Sequence, residues 1–460
     1  MEITNLSRNI WEIKKQDDMN VPGRIYASNE ILNKMKQDKT LNQLINVAKL
    51  PGIYNYSIVL PDGHQGYGFP IGGVAAFDYE EGIVSPGGIG FDINCGVRLI
   101  KTNLKLEDVK GKIKDLVNEI FKNVPSGLGS KGKIRLSKDN LRDVLSEGSK
   151  WAIDNGYGVK DDILNTEEKG NMKPNDPDKV SDLAYKRGLP QLGSLGAGNH
   201  FVEVEYVKEI YDEKYAKKFG LFKNQVCIMI HTGSRGLGHQ VATDYLKEML
   251  SKFSSEDQLP DKQLVYAYMN SETANDYLKA MACAANYAWT NRQLINHWVR
   301  ESFIKIFGKD VNLSLLYDVT HNIAKIERYK INGENKKVIV HRKGATRSFP
   351  NQPVLIPGHM GTGSYVLVGS EKSLELSFGS TAHGAGRLLS RKEATRRYTL
   401  SEIRNMLLSK GIYLKSASKK GVVEEAPGAY KDLDEVVKVS HEVGIAKKVA
   451  RLNPIGVIKG

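Results

Sequence analysis

The chain has 460 residues, 40% hydrophobic and 26% charged, with a formal net charge of +13 at pH 7. That is ordinary globular composition at a length that needs one large elaborated domain or two, and the basic excess favours a polyanionic partner, nucleic acid above all. The three cysteines, Cys95, Cys227 and Cys283, are far apart and odd in number. They exclude a disulfide framework and fit a reducing compartment. The first eleven residues hold no apolar signal core and no apolar run approaches bilayer length, so a cytoplasmic location without membrane contact is expected.

In chain order, residues 29–50 predict a helix capped by Ser28 or Asn29, with Ile31, Leu32, Met35, Leu41, Leu44, Ile45 and Val47 as its apolar stripe. Residues 55–60 predict a strand that runs into Pro61-Asp62-Gly63-His64-Gln65-Gly66, the start of a Gly- and Pro-rich loop of the kind built for a site. Asp62 and His64 there are ligand or orienting candidates, or parts of a plain Asp-Gly turn. A second strand at 72–77 leads to 87–98, the stretch on which the reading turns. It carries four glycines, Asp92, Cys95 and Arg98 just before an apolar strand start. A carboxylate and a thiolate three residues apart can share a borderline dication such as Zn²⁺ or Mn²⁺. A glycine turn around an inert thiol is the competing reading.

Residues 104–124 predict an amphipathic helix and 136–155 another, separated by a basic glycine-rich loop with Lys131, Lys133 and Arg135. Residues 161–180, polar and rich in Pro and Asp, predict a long surface excursion. A glycine run then ends in Asn199-His200 and enters a strand. Asn199, Phe201 and Glu203 share one face of that strand and His200 the other. The strand 226–230 ends in His231, followed by Thr232-Gly233-Ser234-Arg235 and a helix at 238–253, a pattern suited to an anion. Residues 271–307 predict the longest helix, opened by Ser271. Its Cys283, like Cys227, reads as an inert core thiol, and its His297 as structural.

Strand 313–320 ends in His321. Strand 338–341 precedes a basic turn with Lys343. Pro357, Gly358, His359, Gly361 and Ser364 stand in a glycine-rich segment between two strands. Residues 374–378 lead to His383, set among small residues ahead of an apparent helix start, with Arg387, Arg391, Arg396 and Arg397 at helical spacing. Lys459, almost at the end, is where chains commonly fray.

One pattern recurs at Cys95, His200, His231, His321 and His383: a strand ends and a ligand-type residue follows, flanked by glycine. Strand ends converge, so with Asp92 these residues predict a cluster for one or two cations. Paired cations about 3.5–4 Å apart are the usual device of phosphoryl chemistry, and a bridging thiolate favours Mn²⁺ or Zn²⁺ over Mg²⁺. No Walker or Rossmann fingerprint is present. The residues alone therefore describe a metal-dependent enzyme acting on phosphates. An RNA-binding protein with a structural metal and a metallophosphoesterase are the rivals.

The motifs Asp62-Gly63-His64-Gln65-Gly66, Phe91-Asp92-Ile93-Asn94-Cys95-Gly96, Gly198-Asn199-His200-Phe201, His231-Thr232-Gly233-Ser234-Arg235-Gly236 and His383-Gly384-Ala385-Gly386-Arg387 resemble those of the RtcB family of RNA-splicing ligases, from about residue 20 to the C-terminus. The resemblance implies a single large α+β domain over residues 1–460, with a central β-sandwich-like core and inserted helices. It implies joining of RNA 2′,3′-cyclic phosphate or 3′-phosphate ends to 5′-hydroxyl ends, with GTP, two Mn²⁺ ions and a histidine–GMP intermediate. The RNA would be tRNA halves or broken strands, and the small protein archease a stimulating partner. On this resemblance Cys95 bridges the ions, with Asp92 and His200 on one and His231 and His321 on the other. His383 is the nucleophile, and Asp62 is assigned to orient it. Asn199, Phe201, Glu203, His321, Pro357, His359, Gly361, Ser364, His383, Gly384, Ala385, Gly386, Tyr430 and Lys459 hold GMP, while Arg235, Lys343 and Arg387 meet RNA phosphates. His359 departs from the pattern, since many members have serine there, and the segment 348–352 looks short.

Overall fold

The computed structural model describes residues 2–16, 18–253 and 259–460. It is mixed α/β and organised by two large sheets. The first runs, in spatial order, Ile3–Ser7, Ile10–Ile13, Gly23–Tyr26, Ser57–His64, Ile71–Asp78, Glu334–Lys343 and Asn322–Ile331. Its neighbours are antiparallel except Gly23–Tyr26 with Ser57–His64. The second runs Leu313–Thr320, Gly96–Lys105, Gln225–Thr232, Phe201–Ile210, Ala446–Lys459, Ser364–Gly369 and Pro353–Ile356, with the short Tyr413–Ser416 added in parallel to Ala446–Lys459.

The second sheet is rolled into a nearly closed barrel, where a sandwich-like core was expected. Alternate residues from all seven main strands, among them Val97, Leu99, Phe201, Met229, Val319, Leu355, Val366 and Leu452, enclose one common core. Residues of opposite parity, such as Ile100, Val202, Ile228 and Ile230, pack outward against the helices. Register shifts at Leu315/Tyr317, Val366/Leu367, Arg451/Leu452 and Pro454/Gly456 bend the strands, and bulges of this kind let a sheet curl. The outer face is crossed by the helix Glu272–Phe307, whose start is capped by Ser271 Oγ accepting from the Ala274 amide at 3.2 Å.

Several predicted helices are shorter than their stripes. Residues 29–50 divide into Asn29–Met35 and Thr40–Ala48, because Asp38 accepts from the Thr40 amide at 2.8 Å and restarts the chain. Residues 104–124 divide at Gly111 into Leu106–Lys110 and Ile113–Asn123. Residues 136–155 divide at Gly148, whose φ is +62°. The segment 374–378 lies mostly in the helix Glu371–Ser377, and the helix expected just after His383 starts only at Arg391, so Arg387 lies outside it. Residues 161–180 are more than a surface excursion. Arg300 grips the buried Asp162 in a fork at 2.5 and 2.6 Å, and Lys325 bonds the buried Glu167 at 2.5 Å. Paired burial of this sort hides charged residues inside polar sequence. Among the described residues no helix is long and apolar enough to cross a membrane.

Candidate active site

The barrel's inward parity places the ligand-type residues. Cys95 continues the inward series of Val97 and Leu99, His231 that of Cys227 and Met229, and His321 that of Val319, so all three emerge at one mouth of the barrel. Cross-strand register sets Lys459, Phe201, His231 and Val97 in one row at that mouth. There Cys95 Sγ lies 3.4 Å from His231 Nε2 and 3.5 Å from His200 Nε2, and His231 Nε2 lies 3.3 Å from His321 Nε2. Asp92 Oδ2 is 3.0 Å from His200 Nε2. Two ligand groups result, Cys95–His231–His321 and Asp92–Cys95–His200, with Cys95 common to both.

The donor set fits a cation. His200 Nδ1 donates to the Leu195 carbonyl at 3.1 Å, which leaves its Nε2 lone pair aimed at Cys95 and Asp92. His231 and His321 are held well below the ordinary histidine range by burial first and by neighbouring histidines second, so both are neutral. Burial, then the Asp92 carboxylate, pushes the Cys95 thiol well up. A dication reverses that preference outright, since a coordinated thiol is deprotonated. Burial acts to raise Asp92, but its bond to His200 outweighs that and holds it down at about 2. Thiolate, carboxylate and imidazole together suit a borderline dication.

Beside this corner His383 stands with its ring 4.9 Å from that of His321. Its Nδ1 is 2.5 Å from Asp62 Oδ2, and the same oxygen accepts the His383 amide at 2.9 Å. Asp62 is fully buried. Burial acts to raise it, and the His383 contacts outweigh that and keep it below the ordinary carboxylate range. With Nδ1 bound to Asp62, the free nitrogen of His383 is Nε2.

His383 forms part of the floor of a cleft of about 270 Å³ lined also by Asn199, Phe201, Pro357, His359, Gly384, Ala385, Gly386, Tyr430 and Lys459. The His359 and Tyr430 rings stack at 4.9 Å, and the Thr362 hydroxyl lies 2.9 Å from His359 Nε2. Lys459 is not frayed. It ends the strand Ala446–Lys459, is 3% exposed, and carries its ammonium over the Phe201 ring. Glu203 lies one layer below Phe201 on the same face, fully buried, with both carboxylate oxygens lacking a protein partner.

Other predicted residues sit elsewhere. Lys343 is buried and its ammonium donates to the carbonyls of Tyr67, Phe69 and Gly87, so it points into the protein and not toward an RNA strand. Gly361 lines a separate cleft with Lys410 and Arg451. Ser364 is buried behind the cleft, where its hydroxyl donates to Glu205 at 2.7 Å. Arg387 lines the cleft but is tied to Glu425 at 3.0 Å. Arg235 bonds Ser194 and lines a groove with Gly198, Arg391 and Lys420 that adjoins the cleft. Cys227 and Cys283 are buried thiols with no role at the site.

The sequence reading missed Glu425, Glu205 and Arg292. Glu425 is 1% exposed and gathers Arg387, Arg391 and the Tyr430 hydroxyl. It stands in a polar helical stretch that looks like surface. The sequence carried one signal for Glu205, its spacing of two from Glu203 on the same strand face. Arg391 was noticed only as one of a run of arginines. It too lines the cleft.

Comparison with known proteins covers nearly the whole chain. A family model described as tRNA-splicing ligase RtcB matches residues 43–460. The chain is 58% identical to the tRNA-splicing ligase RtcB of Thermococcus kodakarensis, over 98% of this chain and 97% of that protein. It is 53% identical to the proteins of the same name from Nanoarchaeum equitans, over the full length of both, and Methanococcus maripaludis, over 100% of this chain and 99% of that protein. With its Cys–His corner, its Asp62–His383 pair and this full-length similarity, the chain belongs to the RtcB family of tRNA-splicing ligases.

Proposed function

We propose that this RNA ligase joins an RNA 3′-phosphate or 2′,3′-cyclic phosphate end to a 5′-hydroxyl end, consuming GTP through a GMP–His383 intermediate, with two Mn²⁺ ions shared across Cys95. The observation that carries the reading is His383. It is fixed by Asp62 through Nδ1, it lies in the floor of a nucleotide-sized cleft, and it abuts two ligand groups that share one thiol.

In this reading the His383 Nε2 lone pair attacks the α-phosphorus of GTP. A P–N bond forms, the bond to the bridging oxygen breaks, and pyrophosphate leaves. Asp62 holds the Nδ1 proton and offsets the charge that the ring gains. The dications, when bound, neutralise the phosphate charge that builds as the bond is made. Glu203, fully buried one layer behind the cleft, is the acceptor assigned to guanine N–H groups, and Tyr430 and Phe201 line the cleft beside the base. A 2′,3′-cyclic end is first opened by water, which breaks the P–O2′ bond and leaves a 3′-phosphate. GMP then passes from His383 to the RNA 3′-phosphate, which restores the neutral imidazole. The 5′-hydroxyl attacks that activated end, and GMP departs as the P–O bond of the junction forms. Arg235 and Arg391, at the groove that adjoins the cleft, receive the RNA strand. A tRNA half as substrate, a cytoplasmic setting and an archease-type helper belong to the same proposal.

The experiment mixes a 3′-phosphate RNA with a 5′-hydroxyl RNA, GTP and Mn²⁺. A joined product that requires both GTP and Mn²⁺ is expected. Phosphate release without joining would instead assign the site to a metallophosphoesterase.

A further inference from the structure

Beneath the cation corner lies a fully buried guanidinium that the reaction scheme above does not use. Arg292 projects from the helix Glu272–Phe307 and is 0% exposed. A guanidinium has five N–H donors in a fixed plane, and each of the five is taken. Nη1 donates to the Asn94 carbonyl at 2.8 Å and to the Thr232 carbonyl at 2.9 Å. Nη2 donates to Asn94 Oδ1 and to Asp318 Oδ1, both at 2.9 Å. Nε donates to Asp318 Oδ2 at 2.9 Å.

The acceptors are placed tellingly. Asn94 immediately precedes Cys95, Thr232 immediately follows His231, and Asp318 lies three residues before His321 near the end of the same strand. One side chain thus joins all three segments that carry the Cys95–His231–His321 group. The other group is anchored differently. His200 hangs on the Leu195 carbonyl, and Asp92 accepts from the Ser234 amide at 3.0 Å.

We propose that Arg292 is a positioning residue chiefly for the Cys95–His231–His321 cation site, the planar fork that fixes the spacing of its three ligands and that meets the other group only through the shared Cys95 segment. Lysine cannot replace it, because three donors on a flexible stem cannot reach five acceptor positions in a plane. The inference rests on the two-cation reading of the site.

The test is titration of the intact protein with Co²⁺, followed by ion stoichiometry and the near-ultraviolet thiolate-to-cobalt absorption. Wild type should bind two Co²⁺ ions. Arg292→Lys should bind the first normally and the second about 10–100-fold more weakly, the scale seen when a ligand's outer partner is removed. Asn94→Gly is the gentler companion. Asn94 has φ +52°, which glycine adopts freely; the change removes the Oδ1 leg of the fork together with the bond from Asn94 Nδ2 to the Ala285 carbonyl at 2.7 Å. A second-ion affinity weaker by about threefold is expected. Arg300→Gln is the control. Arg300 stands on the same helix in a buried pair with Asp162, and its only bond to a ligand-bearing strand among the described residues, Nε to the Leu313 carbonyl at 3.3 Å, is at the strand's far end from His321. It should lower Tm and leave both ions in place.

Arg292→Lys and Asn94→Gly proteins that both bind two Co²⁺ with wild-type affinity and absorption would overturn the inference alone. So would an Arg300→Gln protein that loses the second ion as Arg292→Lys does, since general destabilisation would then account for the loss. A wild type that binds a single Co²⁺ would overturn the two-cation reading and this inference with it.

Discussion

Cys95, His231 and His321 take their places from strands, whereas Tyr430, Arg387 and Arg391 take theirs from one another. In the cation corner, backbone register and the Arg292 fork hold the ligands. In the cleft beside His383, one buried carboxylate, Glu425, gathers two arginines and a phenol from separate loops and helices. Ligands held in this way suit a site that neutralises charge without reorganisation. Backbone also ties this wall of the cleft, Lys431 N–H to the Gly386 carbonyl at 2.9 Å and Leu388 N–H to the Ala429 carbonyl at 2.8 Å, but the arginine and phenol heads that face the cleft hang on Glu425. His383 stands where the two meet and is tied to neither, its partner Asp62 coming from the other sheet.

This contrast can be broken or sharpened by mutation. The largest effect should come from Cys95→Ala. One thiolate serves both ligand groups, so metal counting should find both ions lost and joining reduced by at least about 10³-fold. His321→Ala should weaken mainly one ion. Retention of two ions in Cys95→Ala would end the bridging role.

Next is Asp62→Asn. The amide oxygen must stay toward the His383 N–H and so still faces Nδ1, but the negative charge that offsets the charge gained by the ring is lost. The guanylylation rate should fall on the order of 10²-fold or more, with Mn²⁺ content unchanged. A loss of metal would place Asp62 in the corner instead.

A smaller effect is expected of Glu425→Gln. Two charge-assisted bonds weaken and the cleft loosens, so KM for GTP should rise about tenfold while metal binding stays at the wild-type level. A fall in metal content would erase the distinction between the two regions.

The smallest concerns pH. Burial holds Glu205 up at about 7 from an ordinary value of 4.5. The folded chain therefore keeps a proton that the unfolded chain loses, so this contribution to stability is full below about pH 4.5 and is lost as pH rises to about 7. Thermal unfolding of Glu205→Gln should show a flatter Tm profile across that window than wild type. An unchanged profile would show that Glu205 is ionised in the folded protein.

The sequence made the cation corner legible because inward parity carries to strand ends. A ligand-type residue flanked by glycine just past an apolar strand is visible without coordinates, and Cys95, His200, His231, His321 and His383 do converge. The supporting residues were not legible, because a buried charge reads like a solvated one until its partner is known. Arg292, Glu425 and the paired Asp162 and Glu167 all stand in sequence that suggests surface or ordinary helix. Lys343 shows the reverse error. A basic turn suggested phosphate, but three carbonyls already take its ammonium. Rolling of the larger sheet was hidden too, since a run such as Val226-Cys227-Ile228-Met229-Ile230 is apolar on both faces in a sandwich and in a barrel alike.

The central claim, that His383 carries GMP, is tested most directly by incubating the protein with Mn²⁺ and GTP labelled at the α-phosphate, then mapping the labelled peptide. The account predicts label on His383 in wild type. It predicts none in His383→Ala, which should still bind Mn²⁺ normally and still seal an RNA supplied with a guanylylated 3′ end. Label on another residue, or undiminished label in His383→Ala, would contradict it.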